Sequence, residues 1–285
     1  MRMRLILFLL FCFTLSFSQD LKPFKTDSLF GYKNENGQVI IKPQFQYATR
    51  FTYGYAIVAK NKKIGVINSN NDMLINYKYE FLQALDSLEL LYGNRAKYFG
   101  EYYIGVIGLN DQIKIPNKYK FITKKNNLYI VTTEKSKVIN KNENGDMRTV
   151  ENKYGLIDSN GKTILPCKYS YIAWKTPKLL DVSKNNHKSH ALFDVNGKRL
   201  TNFRFMVFGD FTEGLAKARI KNKYGFVNEK GKIAIPITFD YCEEFKNAYS
   251  IITQGEKHGA IDKNGKIVIE PIFDYQTVKS KLLSQ

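Results

Sequence analysis

Acidic residues are in short supply in this 285-residue chain, where 44 lysines and arginines accompany 26 aspartates and glutamates and give a net charge of +18. Histidine (three residues) and tryptophan (one residue) are scarce as well. The sequence contains no His-Glu-Xaa-Xaa-His motif, no phosphate-binding glycine loop and no Gly-Xaa-Ser-Xaa-Gly nucleophile elbow. These absences leave no motif for a catalytic, cofactor or metal site, and a non-enzymatic protein without cofactors is expected.

Long hydrophobic runs are also missing, apart from Leu5–Phe13, which is too short to span a bilayer comfortably. Arg2 and Arg4 precede this run, and the small residues of Ser16–Ser18 follow it. This order is typical of a signal peptide over residues 1–18, and a hydrophobic N-terminal strand is the alternative. The predicted mature protein starts at Gln19, carries a charge of +16 and has no transmembrane segment. It is expected to be exported, to the periplasm, the cell surface or the medium.

The excess of lysine is spread along the chain rather than gathered in one cluster. Such a charge can attract an anionic partner. Lysines on exposed strand faces also block edge-to-edge aggregation, and the even spread favours this interpretation. No nucleic-acid partner is expected for an exported protein.

A sequence motif is repeated along the rest of the chain. Seven units begin at a residue that is glycine in six copies, at intervals of 34, 40, 50, 36, 34 and 34 residues: Gly31, Gly65, Gly105, Gly155, Ala191, Gly225 and Gly259. Fourteen residues after every start there is an aromatic: Phe45, Tyr79, Tyr119, Tyr169, Phe205, Phe239 and Phe273. Six residues after the start, five copies have glycine, and Asn71 and Asp111, which tolerate positive φ, stand in the other two.

Each unit is predicted to contain a β-hairpin. In the fourth copy, Gly155–Asp158 is a short strand, Asn160 and Gly161 form a tight turn, and Lys162–Leu165 returns until Pro166 ends the strand. A second apolar set follows in the better-kept copies, as in Phe211–Ile220. There apolar and polar residues alternate with period two, which predicts one buried and one solvated face.

The pattern Gly-Xaa-Ile-Asp-Xaa-Asn-Gly-Lys, followed by Ile-Pro and an aromatic-Asp pair, resembles the WG-repeat proteins of bacteria over roughly residues 29–275. The residue before the repeat glycine is never tryptophan here, so the resemblance rests on the turn and strand pattern. It implies β-rich repeats and supplies no catalytic residues.

Less regular segments interrupt the units. Glu80–Leu91 is predicted to form a short helix or a distorted strand pair, and Glu134–Asn152 an exposed loop or an extended hairpin that could serve in binding. The tail Gln276–Gln285 is predicted to fray or to form a short cap.

Candidate site residues each have a structural explanation. His190 and His258 precede repeat starts and are expected to be half-buried strand residues, while His187 and His190 give only a weak zinc signal. A pair among the recurring acids could act as in a glycosidase, but their position before the turn predicts hydrogen bonds to the turn backbone: Asp158, Asp194 and Asp262. Four aromatics could stack on sugars, but core packing is favoured for most of them: Tyr171, Trp174, Tyr241 and Tyr275. The two cysteines of the mature chain, Cys167 and Cys242, are predicted to be free buried thiols.

The predicted fold is therefore all-β, with residues 19–285 forming one cooperative domain of tandem β-hairpin repeats. An open superhelical solenoid is favoured over a β-propeller, because the last unit lacks a second hairpin and the start of the chain does not supply one. The predicted function is an exported, monomeric scaffold for an envelope protein or a glycan. Polyanion binding and hydrolysis of an extracellular polymer are the alternative functions.

Overall fold

The computed structural model describes residues 20–95, 102–142, 145–185 and 188–284. The chain divides into two compact units, residues 1–100 with 106–113, and residues 101–105 with 114–285. The predicted signal peptide and His187 lie outside the described residues. The expectation of one cooperative domain concerns unfolding and stays a prediction.

The protein is built from small antiparallel sheets in which consecutive strands are neighbours. Sheet 1 contains β1 (Lys22–Thr26), β2 (Leu29–Lys33) and β3 (Val39–Phe45), and sheet 2 contains β4 (Tyr47–Ala48), β5 (Tyr55–Lys60), β6 (Lys63–Asn68) and β7 (Met73–Tyr79). Sheet 3, in which the division between the units falls, contains β8 (Phe81–Ala84), β9 (Glu89–Arg95), β10 (Tyr102–Gly108) and β11 (Ile113–Tyr119).

The remaining sheets belong to the second unit. Sheet 4 contains β12 (Phe121–Lys125), β13 (Leu128–Asn142), β14 (Gly145–Asp158) and β15 (Thr163–Tyr169), and sheet 5 contains β16 (Tyr171–Thr176), β17 (Leu179–Lys184) and β18 (Ser189–Asp194). Sheet 6 contains β19 (Val207–Thr212), β20 (Leu215–Ile220), β21 (Lys223–Asn228) and β22 (Ile233–Phe239). Sheet 7 contains β23 (Tyr241–Cys242), β24 (Tyr249–Gln254), β25 (Lys257–Asp262) and β26 (Ile267–Phe273), and helix α1 (Tyr275–Leu283) follows.

Each sheet straddles two of the units defined by sequence. In each unit, the strand that contains the repeat start is called the glycine strand. The second apolar set of one unit pairs with the glycine strand of the next unit, as β5 pairs with β6 and β24 with β25. At the start of the chain, β1 pairs with β2 in the same way. The prediction that the start of the chain supplies no such strand was therefore wrong, because β1 precedes the first repeat glycine and pairs with β2.

Both faces of the central strands are buried, which corrects the prediction of one solvated face. In sheet 6, Leu215 packs in a cluster with Ile252 of sheet 7, while Ala216 and Ala218 pack with Leu192 of sheet 5. In the first unit, Tyr55 of sheet 2 packs towards sheet 3, and its neighbours on β5 pack towards sheet 1. Period two arises here because alternate residues face two different neighbouring sheets.

The turn after the glycine strand forms as predicted. The residues six after the repeat start all have positive φ: Gly37, Asn71, Asp111, Gly161, Gly197, Gly231 and Gly265. Asp262 Oδ1 accepts hydrogen bonds from the backbone N–H groups of Asn264 and Lys266, both at 2.9 Å. Asp158 and Asp194 accept the corresponding pair of bonds in their own turns. The prediction for the three aspartates is confirmed.

The repeat glycine allows the returning strand to approach closely. A Cβ atom at Gly259 would lie 2.5 Å from the carbonyl oxygen of Ile269, and the strand register shifts at this point. Pro166 does not end its strand, because β15 continues to Tyr169. This position tolerates proline because β15 lies at the edge of sheet 4.

The irregular segments adopt one of the structures predicted for each. Phe81–Ala84 and Glu89–Arg95 form a strand pair, and β13 and β14 form an extended hairpin over the long insertion. The tail forms a cap: α1 begins after Asp274, whose side chain accepts a hydrogen bond from Thr277 N, and Val278 of the helix packs against Ile251 of sheet 7.

Candidate functional site

A basic groove of about 550 Å³ opens in the second unit beside the base of the extended hairpin. Strand β14, the end of β15 and the turn between β17 and β18 form its walls. Its lining contains four lysines, one carboxylate and two neutral polar residues: Lys153, Lys168, Lys184, Lys188, Glu151, Ser170 and Asn185. The arrangement can bind an anionic group through several ammonium charges.

The four lysines of this groove differ in their partners. Lys153 forms an ion pair with Glu151. The Nζ atom of Lys184 lies 4.3 Å from the centre of the Phe203 ring, and that of Lys168 lies 5.6 Å from the Tyr169 ring. Within the described residues, no carboxylate pairs with Lys168, Lys184 or Lys188. Three positive charges are therefore available to a ligand.

A buried hydrogen-bonded pair of side chains occupies sheet 5. His190 Nδ1 lies 2.8 Å from Asp181 Oδ1, and the side chains are 8% and 5% exposed. The ring of Tyr171 packs edge-on against the imidazole, and burial together with the Asp181 carboxylate raises the pKa of its hydroxyl. The position of Asp181 is apolar in three other sheets, where Ile57, Ile130 and Ile251 stand. The pair lies inside the sheet stack, where a ligand has no direct access, and we assign it a structural role.

The other predicted positions are dispersed. His258 is half-buried, as predicted, and its Nδ1 lies 3.2 Å from Thr253 Oγ1. His190 is more deeply buried than predicted, since it is only 6% exposed. Along the described ranges, no three His, Cys, Asp or Glu side chains gather as a metal site requires.

The four aromatics for which sugar stacking was the alternative to core packing do not meet in one groove. Tyr171, Trp174 and Tyr275 are half-buried, whereas Tyr241 is 45% exposed and is covered by Lys217, whose Nζ lies 4.8 Å from the ring centre. The hydroxyl of Tyr275 donates a hydrogen bond to Glu243 at 2.9 Å.

Both cysteines of the described chain are free, as predicted. Cys242 is fully buried, and desolvation raises the pKa of its thiol to about 12. Cys167 is half-buried, and burial raises the pKa of its thiol as well. Both thiols are therefore protonated at neutral pH and poor nucleophiles.

Sequence reasoning missed the groove and the Asp181–His190 pair. The groove lysines come from three separate stretches, so no local cluster of charge marks them. Asp181 did leave a signal, because it is an acid inside the apolar run Leu179–Val182. A charged residue in a buried strand needs a partner, and that need could have directed attention to His190.

Among the described residues, no helix has the length and apolar character needed to cross a bilayer. No curated protein matches the chain in sequence. Similar solved structures include a eukaryotic initiation factor, with 12% identity, a TM-score of 0.40 and coverage of 89% of this chain and 74% of that one. Virginiamycin B lyase from Staphylococcus aureus gives 16% identity, a TM-score of 0.25 and coverage of 79% and 83%. These likenesses carry no argument about function.

The family comparison agrees with the repeat pattern. The WG containing repeat matches residues 30–63, 154–174, 224–257 and 259–275. The matched segments contain the glycine strand and the turn whose geometry is described above. The matches at four regions of the chain support a WG-repeat family.

Proposed function

We propose that this protein is an exported, non-enzymatic scaffold that binds an anionic protein or glycan of the cell envelope through the basic groove. The single observation that carries the proposal is the set of three lysines without carboxylate partners, Lys168, Lys184 and Lys188, in one groove. Proposed export rests on the signal-like residues 1–18. The recurring aspartates are engaged in their turns, which supports binding rather than hydrolysis.

We also propose that the sheets follow one another in an open array, with a closed propeller as the alternative. Helix α1 supports the open array, because Val278 packs with Ile251, Ala260 and Ile269 on one face of sheet 7. In a closed ring that face would be needed for another sheet. A helix on the last repeat instead resembles the capping elements that end repeat arrays.

Binding to envelope components tests the proposed function. We expect the full chain to retain a partner from a membrane-envelope extract or to bind acidic glycans on an array. The substitutions Lys168→Gln, Lys184→Gln and Lys188→Gln, made together as the groove variant, should reduce this binding about tenfold or more, because several charge contacts are lost.

A control with the same loss of charge accompanies this experiment. Lys162, Lys198 and Lys232 are exposed turn residues seven positions after their repeat starts, and glutamine at all three gives the turn control. The turn control should bind nearly as the wild type does. An equal loss in both variants, with unchanged circular dichroism, would show that net charge alone causes binding and would reject the groove as the site.

A further inference from the structure

Basic residues recur at one register position in four consecutive repeats. The residue thirteen positions after the repeat start is Lys78, Lys118, Lys168 or Arg204, and all four are exposed. In each case the cation lies over the ring of the next residue, at 5.3, 5.5, 5.6 and 5.4 Å from the ring centre. The aromatic of the repeat thus holds a charge at the same place in each copy.

Whether that charge is neutralised depends on the turn residue of the following repeat, six positions after its start. In the first unit, Lys78 Nζ lies 2.6 Å from Asp111 Oδ2, and Asp111 occupies the turn position six residues after its repeat start. The same turn position is Gly161 in the next copy and Gly197 in the one after it. Glycine offers no carboxylate, and no described acid pairs with Lys118, Lys168 or Arg204. These three residues of the second unit are called the cation row.

The cation row and the groove overlap at Lys168. Sheets 4 and 5 share one apolar cluster, so they pack face to face. Packed sheets lie about 10 Å apart, which sets the expected step from one cation of the row to the next. A compact anion can occupy the groove, but only an extended ligand can reach all three cations.

The chemistry of the row selects among extended polyanions. Single-stranded nucleic acids are bound by aromatic rings on which bases stack. The rings beneath the row are buried, since Tyr119, Tyr169 and Phe205 are 6%, 6% and 1% exposed, so they offer no stacking surface. Two of the three cations are lysines, which act as point charges and accept anionic groups without a fixed geometry. A row that offers charge without a stacking surface favours an acidic polysaccharide, whose carboxylates or sulfates need only the charge.

We propose that the second unit binds a linear acidic polysaccharide that lies across successive sheets and meets one cation of the row at each repeat. This inference rests on the proposed function, because Lys168 belongs to both the groove and the row. It adds that the ligand is extended, that it is a glycan, and that Lys118 and Arg204 bind it.

The test uses the full chain and size-fractionated heparin as the probe. We expect affinity to rise with fragment length, and binding of the longest fragment to weaken with added salt. The row variant, with glutamine at Lys118, Lys168 and Arg204, should lose about tenfold or more in affinity for the longest fragment and become insensitive to length. The turn control, which loses the same charge, should keep both properties.

A second variant neutralises Lys118, one cation of the row, without removing it. Gly161→Asp copies the arrangement of Asp111, and a Cβ at this glycine has only Lys114 O nearby, at 3.6 Å. Aspartate tolerates the positive φ found there. We expect this variant to lose affinity for long heparin fragments as Lys118→Gln alone does, with an unchanged circular dichroism spectrum.

Each contrary result has a distinct meaning. If short and long fragments bind equally and only the groove variant weakens binding, the extended ligand is rejected and the proposed function stands. If single-stranded DNA of equal charge binds as tightly as heparin, the glycan class is rejected. If the row variant and the turn control lose affinity equally, the row is rejected. If the wild type binds neither heparin nor any envelope component, both proposals fail.

Discussion

Sheets 5 and 7 are built from the same repeat, but they differ at the edge that follows the glycine strand. Sheet 7 has four strands, and its fourth strand passes so close to Gly259 that a side chain there would meet the backbone. Sheet 5 has three strands, and the segment after β18 forms no regular fourth strand but pairs with it through isolated bridges such as His190 with Phe205. Ala191 stands where sheet 7 has Gly259, because no regular fourth strand crosses it.

In sheet 5 a side chain accepts one of the hydrogen bonds that a fourth strand would accept. The backbone N–H of Leu192 donates to Thr201 Oγ1 at 2.9 Å, while backbone hydrogen bonds still join His190 to Phe205. Sheet 5 also contains the buried Asp181–His190 pair, where sheet 7 has Ile251 and His258. The comparison teaches that the repeat glycine is a packing requirement of the fourth strand and not of the turn or of the glycine strand itself.

The largest expected effect comes from breaking the pair that distinguishes sheet 5. Asp181→Ala removes the carboxylate that pairs with the buried imidazole of His190, and we expect the free energy of unfolding to fall by about 3–5 kcal/mol. Urea denaturation measures this change.

A double variant controls for the loss of the pair. Asp181→Ile with His190→Tyr reproduces Ile130 and Tyr154, which occupy these positions in sheet 4. Because well-packed side chains of similar volume can replace a buried polar pair without loss of stability, the free energy of unfolding of the double variant should lie within about 1 kcal/mol of the wild-type value. A single variant as stable as the wild type would show that the pair contributes nothing.

The second largest effect is expected from substitutions at the repeat start, where sheet 7 has glycine and sheet 5 has alanine. Gly259→Ala should lower the free energy of unfolding by about 3 kcal/mol, because the new methyl group forces the fourth strand of sheet 7 away. Ala191→Gly should cost only about 1 kcal/mol, from greater chain entropy in the unfolded state and one lost methyl group.

Thermal and urea unfolding of both variants measure this difference. Equal costs for Gly259→Ala and Ala191→Gly would contradict the explanation that the fourth strand imposes the glycine.

The smallest effect concerns alkaline pH. Burial and the Asp181 carboxylate raise the pKa of Tyr171 in sheet 5 above its usual value of 10. Below pH 10 the Tyr171 hydroxyl is neutral in the folded and the unfolded states, so its contribution to the free energy of unfolding is fully present. Above pH 10 the unfolded chain ionises first, and stability is lost as pH rises towards the folded pKa. Tyr171→Phe should make the decline in stability above pH 10 shallower than in the wild type.

Unfolding midpoints measured from pH 8 to pH 11 for the wild type and Tyr171→Phe test this expectation. Identical slopes for the wild type and Tyr171→Phe would contradict the assigned environment of Tyr171.

Much of the fold was predictable because its requirements are local. Gly161, Asn71 and Asp111 were identified by the positive φ that a tight turn demands, and Asp262 by its place before such a turn. The strand that starts the array was missed because Lys22–Thr26 carries little of the repeat pattern. The candidate site was not predictable, because its lysines come from β14, β15 and the β17–β18 turn.

The sequence by itself determined the repeat, the turns and the aromatic positions, since backbone dihedral angles and strand alternation depend on neighbours along the chain. Only the tertiary structure decided that both faces of a strand are covered, that Asp181 meets His190, and that three unpaired lysines share a groove. Those outcomes depend on which segments stack face to face, and stacking brings together residues whose separation along the chain carries no record of the contact.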